Sequence, residues 1–122
     1  MKLRIISPTV HGLIDYSAAV ALIASPFLLG LGSSTPVAFW LSIITGIAVI
    51  LVSTNTQYAY SLFKNIPFDG HLAIDLAAAT SFAIAPFLFG MTGLDLVYYV
   101  TNATVVFLVV ALSQTPRSSA TV

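Results

Sequence analysis

Four apolar segments constrain this chain more than any other feature it has. They run approximately over residues 9–31, 36–54, 70–91 and 95–114. Each is close to the ~20 residues a helix needs to cross ~30 Å of hydrocarbon. Backbone in lipid must satisfy its polar groups internally, which leaves helices or closed barrels, and these segments lack the apolar/polar alternation of barrel strands. The predicted class is therefore all-α, a transmembrane four-helix bundle. Composition agrees: 58% of the 122 residues are hydrophobic and only 7% charged, far below the roughly 25% of an ordinary soluble domain. Four Lys/Arg balance four Asp/Glu, so no basic surface exists to neutralise phosphates and nucleic acid is excluded as a partner. The chain has no cysteine, which removes disulfides, thiolate metal sites and thiol catalysis.

The chain also contains one stretch twice. Residues 11–30 (HGLIDYSAAVALIASPFLLG) and residues 71–90 (HLAIDLAAATSFAIAPFLFG) agree without a gap at nine positions, the mark of an internal repeat. The matches are His11/His71, Ile14/Ile74, Asp15/Asp75, Ala18/Ala78, Ala19/Ala79, Pro26/Pro86, Phe27/Phe87, Leu28/Leu88 and Gly30/Gly90. At about 100° per residue the first six fall within an arc of roughly 140°, one face of a helix. A single membrane domain over 1–122 is expected, with repeat one at about 8–54 and repeat two at about 68–114. The apolar start after Lys2 and Arg4 could pass for a secretory leader; its recurrence as an internal segment marks residues 8–31 as a retained helix.

Local chemistry sets the helix ends. Ser7-Pro8 and Thr35-Pro36 put a capping hydroxyl ahead of a proline at the first helical position, where the missing N–H costs nothing. Asp69 or Asn65 is a candidate cap for the third helix, Thr92 or Asp95 for the fourth, and Gly30/Gly32 and Gly90/Gly93 are the stops. Short loops after those glycines fold the helices into two antiparallel hairpins. Pro26 and Pro86 should kink their helices or end them early.

The basic residues orient the bundle. Lys2, Arg4, Lys64 and Arg117 all flank the termini or the central connection, and neither hairpin loop holds one, so a cell-membrane location with both termini and residues 55–69 cytoplasmic is expected. Each repeat has an even number of spans, which relates the two by a pseudo-twofold axis along the membrane normal. Trp40, Tyr98 and Tyr99 should then mark the outer interface and Tyr58 and Tyr60 the inner one. Residues 55–69 suit a segment lying at the interface or a loop that binds a partner. Asn102-Ala103-Thr104 fits a glycosylation acceptor but lies inside helix 4, where a hydrogen-bonding partnership with Ser42 of the other repeat is the better expectation.

Ser25-Pro26-Phe27 near the end of the first helix, repeated as Ala85-Pro86-Phe87 in a two-helix unit given twice, resembles the SPW-repeat family of small membrane proteins. That resemblance implies the duplicated four-helix architecture and transfers no catalytic residue.

The candidate polar site is His11, Asp15, His71 and Asp75. Spacing of i and i+4 puts each His one turn from its Asp on one helix face, and repeats packed face to face would bring all four together. Four uses stay open for such a group near a membrane boundary. The pairs could fix the packing of the repeats, with the small residues Ala18, Ala19, Ala78 and Ala79 letting helices 1 and 3 meet in a central seam. They could relay protons or hold a small ion or polar ligand. They could bind a divalent metal on two His and two Asp, or a haem between the histidines. No catalytic motif appears and none demands a cofactor, so the expected role is structural or partner-binding rather than enzymatic. The partners expected are the lipid bilayer and another copy of the chain or a second membrane protein.

Overall fold

The computed structural model describes residues 3–114 and places four long α-helices in them: α1 (Pro8–Leu29), α2 (Pro36–Thr54), α3 (Phe68–Leu88) and α4 (Gly93–Leu112). All four are long and apolar enough to cross a membrane. Lys2 and Arg117, which count toward the orientation, and the tail beyond Gln114 lie outside the described residues.

The helix starts follow the capping chemistry in the first repeat. Ser7 accepts from the Val10 N–H and Thr35 from the Val37 N–H, each ahead of a proline. The second repeat differs. Pro67 precedes α3 and makes no side-chain cap, Asp69 sits inside the first turn, and Thr92 leaves the α4 start without a side-chain bond. Gly30 and Gly90 close α1 and α3 in the left-handed region, with φ of 64° and 63°, a conformation glycine adopts without the Cβ penalty.

Both α1 and α3 continue past their prolines, so neither proline ends its helix early. Pro26 cannot donate to the carbonyl of Leu22, and the Ser42 hydroxyl of α2 donates to that carbonyl instead, at 2.7 Å. A neighbouring helix thus satisfies the group the proline frees.

The close helix pairs are α1 with α2 and α3 with α4, two hairpins. The tight approach expected between α1 and α3 lies instead inside the first hairpin. Ala19 is fully buried, and a Cβ on Gly46 would come within 2.9 Å of its carbonyl oxygen. Small residues on α1 therefore bring it against α2, while Ala18 and Ala78 line a chamber of about 100 Å³ between the hairpins.

Polar contacts at the hairpin-loop end bind one hairpin to the other. Asp95, at the start of α4 and fully buried, accepts from the Gly32 and Ser34 N–H groups, both at 2.9 Å, and from the Ser34 hydroxyl. Tyr99 donates its hydroxyl to the Ala38 carbonyl at 2.8 Å, and Tyr98 shares a 2.6 Å hydrogen bond with Ser42. Of the five aromatics expected at the interfaces, Tyr58, Tyr98 and Tyr99 are buried, while Trp40 and Tyr60 keep the exposure that an interfacial aromatic requires. Inward-facing phenols find hydrogen-bond partners in the core that they would otherwise find at the interface.

Asn102 donates to the Tyr98 carbonyl of its own helix and not to Ser42. The reason is register. The second hairpin loop is shorter, so α2 and α4 correspond at an offset of 57 and not 60. At that offset Asn102 matches Thr45, and both face the chamber.

Candidate functional site

The repeats meet at the end of the bundle opposite the hairpin loops, where α1 and α3 begin. His11 and Asp15 lie one turn apart on α1, and His71 and Asp75 one turn apart on α3, as the spacing predicts. Each imidazole reaches both carboxylates. His11 Nε2 is 2.9 Å from Asp75 Oδ2 and 3.2 Å from Asp15 Oδ1; His71 Nε2 is 2.8 Å from Asp15 Oδ2 and 3.2 Å from Asp75 Oδ2. The shorter contact of each histidine crosses to the other repeat. All four residues sit within one small cluster, both histidines without exposed surface and Asp15 only 6% exposed.

The other ring nitrogen of each histidine is held by a hydroxyl. His11 Nδ1 lies 2.7 Å from Ser113 Oγ, and His71 Nδ1 lies 2.7 Å from Thr56 Oγ1. Each hydroxyl donates its own proton to the carbonyl four residues back, Ser113 to Val109 at 2.6 Å and Thr56 to Val52 at 2.7 Å. A hydroxyl has one proton to give. Both must therefore accept from the imidazoles, and Nδ1 is the N–H nitrogen in each ring.

Backbone pairing positions those hydroxyls. The Ile6 N–H donates to the Leu112 carbonyl and the Gln114 N–H to the Ile6 carbonyl; at the equivalent place between α2 and α3 the Ile66 N–H donates to the Asn55 carbonyl and the Gln57 N–H to the Ile66 carbonyl. The short segment before each odd-numbered helix thus clamps the residue after an even-numbered one. Arg4 adds a 2.9 Å bond to the Ser113 carbonyl.

Aromatic rings close the layer on the side of the connecting loop. Phe68 packs edge-on against His11 with centroids 5.1 Å apart, and Tyr58 lies 5.5 Å from His71. The Tyr58 hydroxyl donates to Asp15 Oδ2 at 3.2 Å. Burial raises this phenol well above its ordinary pKa, so it remains a donor at neutral pH. On the opposite side the two carboxylates face the chamber, whose walls pair across the pseudo-twofold as Ala18 with Ala78, Leu22 with Phe82, Thr45 with Asn102 and Val49 with Val106.

One contact does not complete a hydrogen bond. His71 Nε2 is fully buried and has Asp15 Oδ2 at 2.8 Å, yet it has no hydrogen-bond partner, because the oxygen lies off the axis along which the ring nitrogen would donate. His11 Nε2 does achieve that alignment toward Asp75. A haem fits this arrangement poorly, since a porphyrin would have to lie between the two Nε2 atoms where both carboxylates stand.

A family model described as the SPW repeat domain matches residues 9–115, most of the chain. The chain belongs to the SPW repeat family. Comparison with curated proteins and with solved structures found no match.

Within this SPW repeat protein, the four residues singled out by spacing come together as one unit. Thr56 and Ser113 were not singled out, and Tyr58 only as an interfacial aromatic, although all three complete it. A signal for two of them does exist: Thr56-Gln57 and Ser113-Gln114 are the same hydroxyl-plus-Gln pair at the offset of 57.

Proposed function

We propose that this SPW repeat protein is a structural or partner-binding membrane component rather than an enzyme, and that the His/Asp quartet is the joint that fixes its two repeats against each other. The observation that carries this reading is the reciprocal crossing. His11 reaches Asp75 and His71 reaches Asp15, at 2.9 and 2.8 Å, each closer than its own-helix carboxylate. Lipid gives no hydrophobic drive for one apolar helix to choose another. Directional polar contacts between the hairpins then favour one packing, and losing one partner leaves the other buried and unmatched. The orientation proposed with it puts both termini and the 55–69 connection in the cytoplasm. Four exposed apolar helix faces offer surface to lipid and to a membrane partner or a second copy.

The test is a double-mutant cycle on detergent-solubilised protein with His11→Ala and Asp75→Asn. Each single change should lower stability, and the pair should show a coupling of about 0.5–3 kcal/mol, the range for groups in contact. Additive effects would remove the joint. A cycle on His11 with Asp69, an exposed carboxylate, should show no coupling.

A further inference from the structure

We infer that the quartet binds one divalent transition-metal ion of the zinc class, taking Nε2 of His11 and His71 and one oxygen each from Asp15 and Asp75, and that the ion reaches the site through the chamber between the hairpins. This rests on the quartet being the joint between repeats and names what completes it.

Three observations converge on an ion. The first is the orphan nitrogen: His71 Nε2 is buried, unbonded and surrounded by oxygens it does not point at. A cation on the nitrogen's axis would give that lone pair a partner and draw in the carboxylates flanking it. The second is the hydroxyl behind each ring. Ser113 and Thr56 hold Nδ1 as the N–H, which turns Nε2 to the cluster, where it either carries the proton that His11 gives to Asp75 or, once a metal displaces that proton, offers a lone pair, the outer-shell arrangement found behind metal-bound histidines. The third is spacing. Each imidazole nitrogen stands 2.8–3.2 Å from an oxygen of each carboxylate, close to the roughly 2.9–3.4 Å between neighbouring ligands around an ion with bonds of ~2.0–2.1 Å, and one ligand atom from each of the four residues lies within 4.8 Å of the other three, a span that ion binding would draw in.

Charge and ligand type select the class of ion. Two carboxylates and two neutral imidazoles carry a charge that one divalent cation cancels, which matters where the surroundings are apolar. Two nitrogens with two oxygens and no sulfur suit zinc, iron(II), cobalt or manganese and disfavour copper(I). Entry is set by the walls: Phe68 and Tyr58 cover the loop side, whereas Asp15 and Asp75 line the chamber.

The experiment uses the full chain in detergent, stripped with a chelator and reloaded with Zn²⁺ or Co²⁺. One equivalent per chain is expected by elemental analysis, with a visible cobalt band of four-coordinate character and a melting temperature that rises on loading and falls on chelation. Asp15→Asn and Asp75→Asn should each weaken binding by tenfold or more. Ser113→Ala, which leaves all four donors in place, should cost about 10–100-fold through the loss of orientation. Asp69→Asn should bind as wild type. Folded wild type that takes up fewer than one ion per ten chains would overturn the metal centre, as would unchanged uptake by an Asp15→Asn/Asp75→Asn double variant. Coupling between His11 and Asp75 in folded protein that takes up no metal would leave the joint standing and sink the ion alone; absence of both coupling and metal would remove both.

Discussion

Asp95 has no carboxylate counterpart in the first repeat, where Ala38 stands at the offset of 57. Its carboxylate is fully buried and accepts three hydrogen bonds from the loop of the opposite hairpin. Hydrogen bonds to a charged group contribute about 1.5–3 kcal/mol each. Asp95→Asn retains an oxygen while losing the charge and placing an NH₂ among donors, so a loss of about 1–3 kcal/mol is expected in denaturant unfolding; stability unchanged within error would show that the latch contributes nothing. From sequence, Asp95 reads as a cap for its own helix. The loop it binds is distant in the chain, and no local pattern announces that pairing. His11, Asp15, His71 and Asp75 were legible because one-turn spacing and a repeat both act locally. Thr56 and Ser113 were not, because the shorter second loop breaks the constant offset just before α4 begins.

At the scale of the helix, Gly46 and Gly12 have opposite surroundings. A Cβ on Gly46 would stand 2.7 Å from Ile23 Cγ1 and 2.9 Å from the Ala19 carbonyl oxygen, and backbone cannot step aside. Gly46→Ala should therefore destabilise by about 1–3 kcal/mol, the usual range for overpacking. A Cβ on Gly12 would meet the Tyr58 ring at 3.4–3.5 Å, ordinary contact, while the helix gains up to about 1 kcal/mol from replacing glycine. Gly12→Ala should be neutral or stabilising. Thermal melts of the two variants side by side check the contrast, and equal behaviour would contradict the close approach of α1 and α2. The four helices were readable from length and apolarity alone, and their neighbours within each hairpin from the short loops. Which small residues serve which interface was not, since Ala18 and Ala19 lie on one helical face and yet meet a chamber and a helix respectively.

At the scale of the molecule, two polar layers, the quartet at one end and the Asp95 latch at the other, hold the hairpins around a chamber of about 100 Å³. A void of that size forfeits contacts, and filling it should stabilise: Ala18→Val is expected to raise stability by roughly 0.5–2 kcal/mol, as cavity-filling changes commonly do. A drop in melting temperature would mean the chamber is already occupied or cannot accommodate a branch. The proposed orientation makes its own claim here. Reporter fusions at Ser34 and Gly93 should report the outer side, and a cytoplasmic signal at either would overturn it. The bundle class and the pseudo-twofold were legible because an even number of spans per repeat fixes the relation between copies. The chamber was not, because periodicity shows which face turns inward and leaves open how far apart two inward faces stop.

The reciprocal quartet also bears on how such a protein depends on its own abundance. Each repeat supplies one imidazole, one carboxylate and one hydroxyl, which is half of a closed ring and useless alone. A single-copy ancestor would have had to find a twin lying parallel in the same bilayer, and its assembled fraction would have followed expression level. Joining the halves through residues 55–67 turns that encounter into an intramolecular one at a fixed, high effective concentration. Every chain then carries a complete ring from the moment it folds, however few copies the membrane holds.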